Sequence, residues 1–202
     1  MRVLSASLLL LALALPAPAA ERFTPSGAWR RPNWVRTASD GFSRIIEWSW
    51  PNSGRYADGQ SAWVRLNAPA KANKVPRNSS YLEAAQFGFH IPARAVIRGI
   101  AVEIRTRAGR RHAGTTIDEA VVLMPNGVED LTSDRAVRTA LPRKMSTLAY
   151  GGPTDLWSID EKLTPDRVNE TVFGVAFVVS NQKRPAAAVV DAIRMAIFYD
   201  LP

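Results

Sequence analysis

Alternation of apolar and polar side chains is clearest between residues 80 and 107 of this chain. In the second half of this segment one parity is apolar and the other is largely charged. The apolar set is Ile100, Val102 and Ile104, and the opposite set includes Glu103, Arg105 and Arg107. A repeat of two places successive side chains on opposite faces of a β-strand, one on a core and one in water. The segment therefore predicts two strands joined by a tight corner at residues 91–93.

The same pattern recurs along most of the chain from residue 45 onward. The predicted strands are 45–50, 62–66, 81–91, 96–106, 117–124, 145–150, 173–179 and 189–201. Turn residues separate the strands. One short helix is predicted at residues 164–169, because Thr164 can cap its N-terminus and Pro165 suits its first position. Many short strands without helical crossovers predict an all-β protein. We expect an antiparallel two-sheet β-sandwich, jelly-roll-like, of about eight strands.

The first 20 residues have the pattern of a secretory signal peptide. Arg2 is the basic start, Leu4 to Leu15 is apolar, and Ala17-Pro18-Ala19 supplies small residues for cleavage. The alternative is a membrane anchor, but a spanning helix needs roughly 20 apolar residues. We therefore predict a cleaved signal helix at residues 1–20, no transmembrane segment after cleavage, and a secreted or cell-surface protein, with the periplasm included.

Two further regions follow the signal peptide. Residues 21–44 are rich in Pro, Gly, Ser and Arg and lack a period, which predicts an extended N-terminal arm in loop conformation. Its Trp29 and Trp34 are expected to pack back on the domain or onto a neighbouring subunit. Residues 45–202 form the predicted β-sandwich domain.

Composition narrows the classes of chemistry. The 202-residue chain has a formal net charge of +8 and no cysteine, which excludes disulfides, thiolate metal sites and cysteine nucleophiles. A basic protein suits acidic partners such as anionic polysaccharide, lipopolysaccharide or nucleic acid, although solubility explains the charge equally well. No nucleic-acid-binding motif occurs in the sequence.

A set of short motifs along the chain points to a family. The motifs are Trp50-Pro51-Asn52, Asp58-Gly59, Tyr81-Leu82, Phe87-Gly88-Phe89-His90-Ile91-Pro92, Ile97-Arg98-Gly99-Ile100-Ala101-Val102, Tyr150-Gly151-Gly152, Asp155-Leu156-Trp157, Phe173-Gly174-Val175 and Val190-Asp191-Ala192-Ile193. Their order resembles an uncharacterised β-sandwich domain of secreted bacterial and phage-associated proteins. The resemblance covers about residues 48–200. It implies the fold and an extracellular context but no activity, and the arm lies outside it.

Asp191 is the most informative charged residue because it shares the parity of Val189, Ile193 and Met195, the apolar face of the last strand. A buried carboxylate must be hydrogen-bonded, paired or metal-bound. One interpretation is a carboxylate at the strand edge that accepts backbone N–H bonds or pairs with an arginine. The other is a structural calcium site, which needs six to eight oxygen ligands. The companion ligands in that case would be Asp58 and Asp118, and no other cofactor is expected.

Trp63 and Arg65 oppose the parity of Val64 and Leu66, so Trp63 is exposed if this strand covers the core on one side. An exposed aromatic ring on a β-sandwich offers an apolar platform for sugar rings. The alternative is that the arm or the second sheet covers Trp63. The remaining tryptophans of the domain are predicted as core or corner residues: Trp48, Trp50 and Trp157.

A basic cluster lies at the end of a predicted hairpin. It contains Arg105, Arg107, Arg110, Arg111 and His112. These residues either bind phosphate or carboxylate groups of a surface polymer or form a solvated loop.

Catalytic patterns are lacking in the sequence. Neither histidine stands in HExxH or a similar ligand spacing, and GxSxG and the phosphate-binding loop are absent. Nothing singles out two carboxylates, such as Glu119 with Glu129 or Asp130, for glycosidase chemistry. We therefore predict a non-enzymatic protein that binds a glycan or cell-envelope polymer. The alternative is a structural subunit of an extracellular filament or coat that self-associates through residues 21–44.

Overall fold

The structure is a computed structural model that describes residues 29–30, 34–38, 61–66, 78–109, 114–181 and 185–201. These residues contain nine strands, one α-helix and two short 3-10 turns. The strands are β1 (Trp29–Arg30), β2 (Trp34–Ala38), β3 (Ala62–Leu66), β4 (Tyr81–Ala85), β5 (Val96–Ala108), β6 (Thr116–Met124), β7 (Ser146–Gly152), β8 (Gly174–Asn181) and β9 (Ala186–Asp200). The helix α1 is Pro165–Asn169, and the turns are Leu131–Ser133 and Asp160–Lys162.

The strands form two antiparallel sheets, as the alternation predicted. The larger sheet has the order β7-β5-β9, and both β1 and β3 pair with the other side of β9. The smaller sheet has the order β2-β4-β8-β6. From β3 to β9 the chain changes sheet at every step, so no described strand pairs with its neighbour in sequence.

One hydrophobic core lies between the sheets. The inward residues of the larger sheet include Ile100, Val102 and Ile104, all fully buried as the alternation predicted. They belong to the same cluster as Val175 and Phe177 of β8 in the smaller sheet. Burial of both layers in one cluster makes the protein an all-β sandwich.

β8 is central, as predicted, because it lies between β4 and β6 and is buried along its whole length. A second, smaller apolar cluster lies on the opposite face of this sheet, formed by Val122, Met124 and Ala176. The near-continuous apolar sequence of β8 therefore reflects burial on both of its faces.

The predicted short helix is present. Thr164 Oγ1 accepts a hydrogen bond from Arg167 N at 3.3 Å, and Pro165 occupies the first position. The last helical residue, Asn169, exchanges two hydrogen bonds with the backbone of Ile91, at 2.7 and 2.8 Å. The helix thereby holds the end of the 86–91 segment, where Phe87, Phe89 and Ile91 are buried alternately without being part of a strand. No helix in the described part of the chain has the length and apolar character that crossing a bilayer requires.

Two strands lie where the sequence predicted only a loop. β1 and β2 fall inside the predicted arm, and β1 pairs with β9 while β2 pairs with β4. The loop prediction was therefore wrong for these residues. Pairing with strands far away in sequence overrides the weak local preference of a Pro- and Arg-rich segment. The domain boundaries at residues 20 and 44 stay predictions.

Candidate functional site

The outer face of the larger sheet carries four of the residues predicted to bind a ligand, which are Trp63, Arg65, Arg105 and Arg107. In β3, Ala62, Val64 and Leu66 are buried, and the residues between them point outward. Trp63 is 47 % exposed, and Arg65 is also exposed. The ring is therefore on the solvent side of a strand whose other side is fixed in the core.

The strand register places Trp63 and Arg107 in one row across the sheet. Trp63 lies opposite Val189 of β9, and Val189 lies opposite Arg107 of β5 on its other side. Arg107 is half-buried, and its Nη1 donates a hydrogen bond to Ala108 O at 3.2 Å. Neither Arg65 nor Arg107 has a carboxylate partner within the described ranges. We call Trp63, Arg65 and Arg107 the Trp63 cluster.

Asp191 lies on this same outer face, which corrects its predicted position. Its carboxylate accepts hydrogen bonds from Arg105 Nη1 at 2.8 Å and from Ser61 Oγ at 3.2 Å. A β-bulge explains the difference, since Arg105 pairs with Ala192 while Thr106 pairs with Val190. The extra residue reverses the parity, so that Val190 and Ile193 both face the core and Asp191 faces outward. Of the two interpretations, the contacts of Asp191 are those of a carboxylate paired with an arginine.

Asp118 is a buried residue of β6 in the other sheet. Its carboxylate accepts hydrogen bonds from the backbone N–H groups of Val137 and Thr139, both at 2.9 Å, and from Tyr150 Oη at 3.3 Å. Burial, together with the nearby Asp118 carboxylate, raises the pKa of Tyr150 well above its ordinary value. Asp118 therefore joins the two sheets and holds the 137–139 segment.

The structure does not bring the three predicted calcium ligands together. Asp118 and Asp191 lie in different sheets, and Asp58 lies outside the described residues. Within those residues no group of three or more His, Asp or Glu side chains could hold a metal ion. A calcium site that uses Asp58 stays a prediction.

The predicted basic cluster is only partly described. Arg105 pairs with Asp191, and Arg107 belongs to the Trp63 cluster, whereas Arg110, Arg111 and His112 lie outside the described residues. Farther along the outer face, Arg194 and Glu103 form a second ion pair. The cations beside Asp191 and Glu103 are thus compensated, and those beside Trp63 have no carboxylate partner among the residues that the structure describes.

A polar site that the sequence did not predict lies where the segment after the Leu131–Ser133 turn meets the segment after β7. We call this place the β7 corner. Arg135 makes a two-pronged ion pair with Asp155, Nε to Oδ2 and Nη2 to Oδ1, both at 2.8 Å. The hydrogen-bonded guanidinium holds the pKa of Asp155 below its ordinary value. Arg135 Cζ also lies 5.7 Å from the ring centroid of Trp157, a cation–π distance.

Trp157 anchors this corner from the core. It is fully buried, as predicted, and its Nε1 donates a hydrogen bond to Ile100 O at 2.8 Å. Trp157 and Ser158 are both left-handed, with φ of 54° and 59°. Asp155 Oδ1 accepts from Trp157 N at 2.7 Å, which supports this unusual backbone. The predicted companions Trp48 and Trp50 lie outside the described residues.

The signal for this corner was present in the sequence only in part. Two motifs of this corner were recognised, Tyr150-Gly151-Gly152 and Asp155-Leu156-Trp157. Arg135 lies 20 residues before Asp155, and no sequence pattern connected it with them. Two of the three carboxylates considered for catalysis have structural partners. Glu119 accepts from Ser180 Oγ at 2.7 Å, and Asp130 pairs with Lys162. That the protein is not an enzyme stays a prediction.

A scan against protein-family models finds no match, and a search of curated proteins finds no similar sequence. The resemblance to secreted bacterial and phage-associated domains stays a prediction.

Proposed function

We propose that the protein is a non-catalytic, secreted or cell-surface β-sandwich that binds a glycan or another cell-envelope polymer on the outer face of its larger sheet. The observation that carries this proposal is the 47 % exposure of Trp63 on β3. A tryptophan on a strand offers a large rigid surface at low entropic cost, since only two side-chain torsions become fixed on binding. The apolar faces of sugar rings gain by leaving water against such a ring.

The surroundings of Trp63 support a binding role. Its strand is held by five consecutive register pairs with β9, from Ala62 to Leu66, and its alternate residues are fixed in the core. The ring therefore stands on a rigid support, and binding requires little ordering of the protein. The signal peptide predicted over residues 1–20 agrees with an extracellular ligand.

Replacing Trp63 by Ala is expected to weaken polymer binding by at least about tenfold, because a central aromatic contact contributes roughly 2 kcal/mol. Affinity electrophoresis and a glycan array with the processed protein measure this. Trp63→Tyr is the matched control, since it keeps an aromatic ring and should retain binding within a few fold. If Trp63→Ala binds as well as the wild type, or if neither binds any polymer, the proposal fails.

We also infer that the sandwich is a jelly roll. Two features support this: the chain changes sheet at every step from β3 to β9, and a segment without regular strand geometry follows the free edge of β6. That segment donates Asp130 N to Leu123 O, Arg135 N to Val121 O and Leu141 N to Thr116 O, at 2.8 to 2.9 Å. Counted from β3 onward, with β1 and β2 of the arm left aside, it would be the eighth strand and would give each sheet four positions.

A structural subunit is the second candidate function, and the pairing of the arm favours it. β1 and β2 add to strands of both sheets, β9 and β4. The same pairings made between copies would link subunits into a filament, as in strand donation and domain swapping. In that case the processed protein forms assemblies by mass photometry and electron microscopy, and deletion of residues 21–38 yields monomers. A processed protein that stays monomeric at all concentrations excludes this candidate.

A further inference from the structure

Resting on the proposed function, we infer that the polymer is acidic, and that Arg65 and Arg107 bind its anionic groups while a sugar ring stacks on Trp63. The charges on the outer face of the larger sheet support this assignment. Arg105 is paired with Asp191 and Arg194 with Glu103. Among the described residues, the face therefore divides into a compensated half and the cationic Trp63 cluster.

Arg65 and Arg107 are both available to a ligand. No hydrogen bond or ion pair of the Arg65 guanidinium occurs within the described part of the chain, and its side chain is exposed. Arg107 uses Nη1 for a backbone carbonyl and leaves its other N–H groups without a partner there. A guanidinium with unused donors binds carboxylate, sulfate or phosphate in a two-pronged geometry. These two residues therefore supply charge-assisted hydrogen bonds that a neutral polymer could not use.

The positions of the two arginines suit a chain that runs across the strands. Arg65 follows Trp63 by two residues on the same strand, about 7 Å along it. Arg107 lies two strands away in the same row, about 10 Å across the sheet. A sugar over the indole ring would thus have a cation on two sides, one along β3 and one across β9. An anionic group on the same or the next sugar is within reach of one of them.

A glycan fits this face better than single-stranded nucleic acid does. Nucleic-acid strands are bound by successive aromatic rings on which neighbouring bases stack. Trp63 is the one aromatic residue among the large apolar side chains exposed in the described ranges. One ring with two arginines is enough for a single sugar and its charged substituents.

The test compares acidic polymers with neutral polymers of the same backbone. We would use polygalacturonate and its fully methyl-esterified form, carboxymethylcellulose and hydroxyethylcellulose, and heparin and its desulfated form. Binding of the processed protein is measured by biolayer interferometry at low and high salt. We expect the acidic member of at least one pair to bind about tenfold or more tightly than its neutral partner, and high salt to reduce that difference.

The variants assign the charge effect to the Trp63 cluster. The double substitution R65Q/R107Q should weaken binding of the acidic polymer about tenfold or more and leave the melting temperature unchanged. The matched control is R94Q/R98Q, which removes the same charge near the opposite end of β5, roughly 30 Å or more away. Arg94 is exposed, and Arg98 forms an exposed ion pair with Asp200. The control should change binding less than twofold.

Each other outcome has a definite meaning. Equal binding of neutral and acidic members, lost in Trp63→Ala but kept in R65Q/R107Q, overturns the acidic polymer and leaves the proposed function standing. Absence of binding to every polymer overturns both. Tighter binding to a single-stranded oligonucleotide than to any glycan overturns the glycan in favour of nucleic acid.

Discussion

Replacing Gly151 by Ala is expected to lower the free energy of unfolding by about 2 to 4 kcal/mol. Gly151 has φ of +68°, a left-handed conformation that costs a residue with a Cβ about 1 kcal/mol. An added Cβ would also overlap Ile100 O and Trp157 Nε1, both well inside van der Waals distance. Forcing a methyl group into such a space costs a further 1–3 kcal/mol, roughly, because the neighbours must move. Chemical denaturation with urea measures the change.

Gly88→Ala is the matched control because it isolates the conformational part of the effect. Gly88 has nearly the same φ, +66°, but nothing lies within 4 Å of the position of an added Cβ. It should lose only about 1 kcal/mol. Similar losses for the two variants would contradict the close packing of the β7 corner against β5. A change in the slope of unfolding free energy against urea concentration, seen in the Gly151 variant alone, would indicate that the denatured state had changed too.

Replacing Trp157 by Ala is expected to lower the free energy of unfolding by about 4 kcal/mol or more. Truncation of a fully buried tryptophan costs about 3–5 kcal/mol through lost burial and the cavity left behind. The variant also loses the Nε1 hydrogen bond to Ile100 O and the ring beneath Arg135. Thermal and urea denaturation provide the measurement, and a chain that fails to fold agrees with this expectation.

Trp63→Ala makes the same chemical change on the surface, so the two tryptophans form an internal comparison. It should cost less than about 1 kcal/mol, because nearly half of the side chain is already in water. Its main effect should be on polymer binding. A large loss of stability in Trp63→Ala, equal to that of Trp157→Ala, would show that Trp63 supports the fold rather than a ligand.

The two layers of the fold could be predicted from local alternation. The errors of that prediction arise where the pairing of two strands changes the alternation. Ile100, Val102 and Ile104 were placed correctly because nothing interrupts the period of two in the middle of β5. Asp191 was placed on the wrong face because the bulge opposite Arg105 and Thr106 adds one residue to β9. A bulge is a property of two strands together, and the sequence of one strand shows only an unbroken period.

The candidate site, like the fold, could be predicted only in part from the sequence. The opposite parity of Trp63 and Val64 left two alternatives, an exposed ring or a ring covered by the arm or the second sheet, and the exposure of Trp63 agrees with the first. Arg107 could be assigned to a basic cluster, but its place in a row with Trp63 depends on β9 lying between β3 and β5. Arg135 and Asp155 come from distant segments, so their ion pair appears only when the chain is folded. Local patterns thus predict which way a residue points better than they predict its neighbours.

The order of the strands has a consequence for how this protein reaches its folded state. The last strand, β9, lies between β5 on one side and β1 and β3 on the other. A nascent chain that ends before residue 186 lacks the element that joins these three, so the larger layer cannot assemble until β9 has been made. We therefore expect structure to be acquired slowly, since distant segments must meet before any of them gains stability. Such a polypeptide would stay extended long enough for a translocation machinery or a chaperone to capture it.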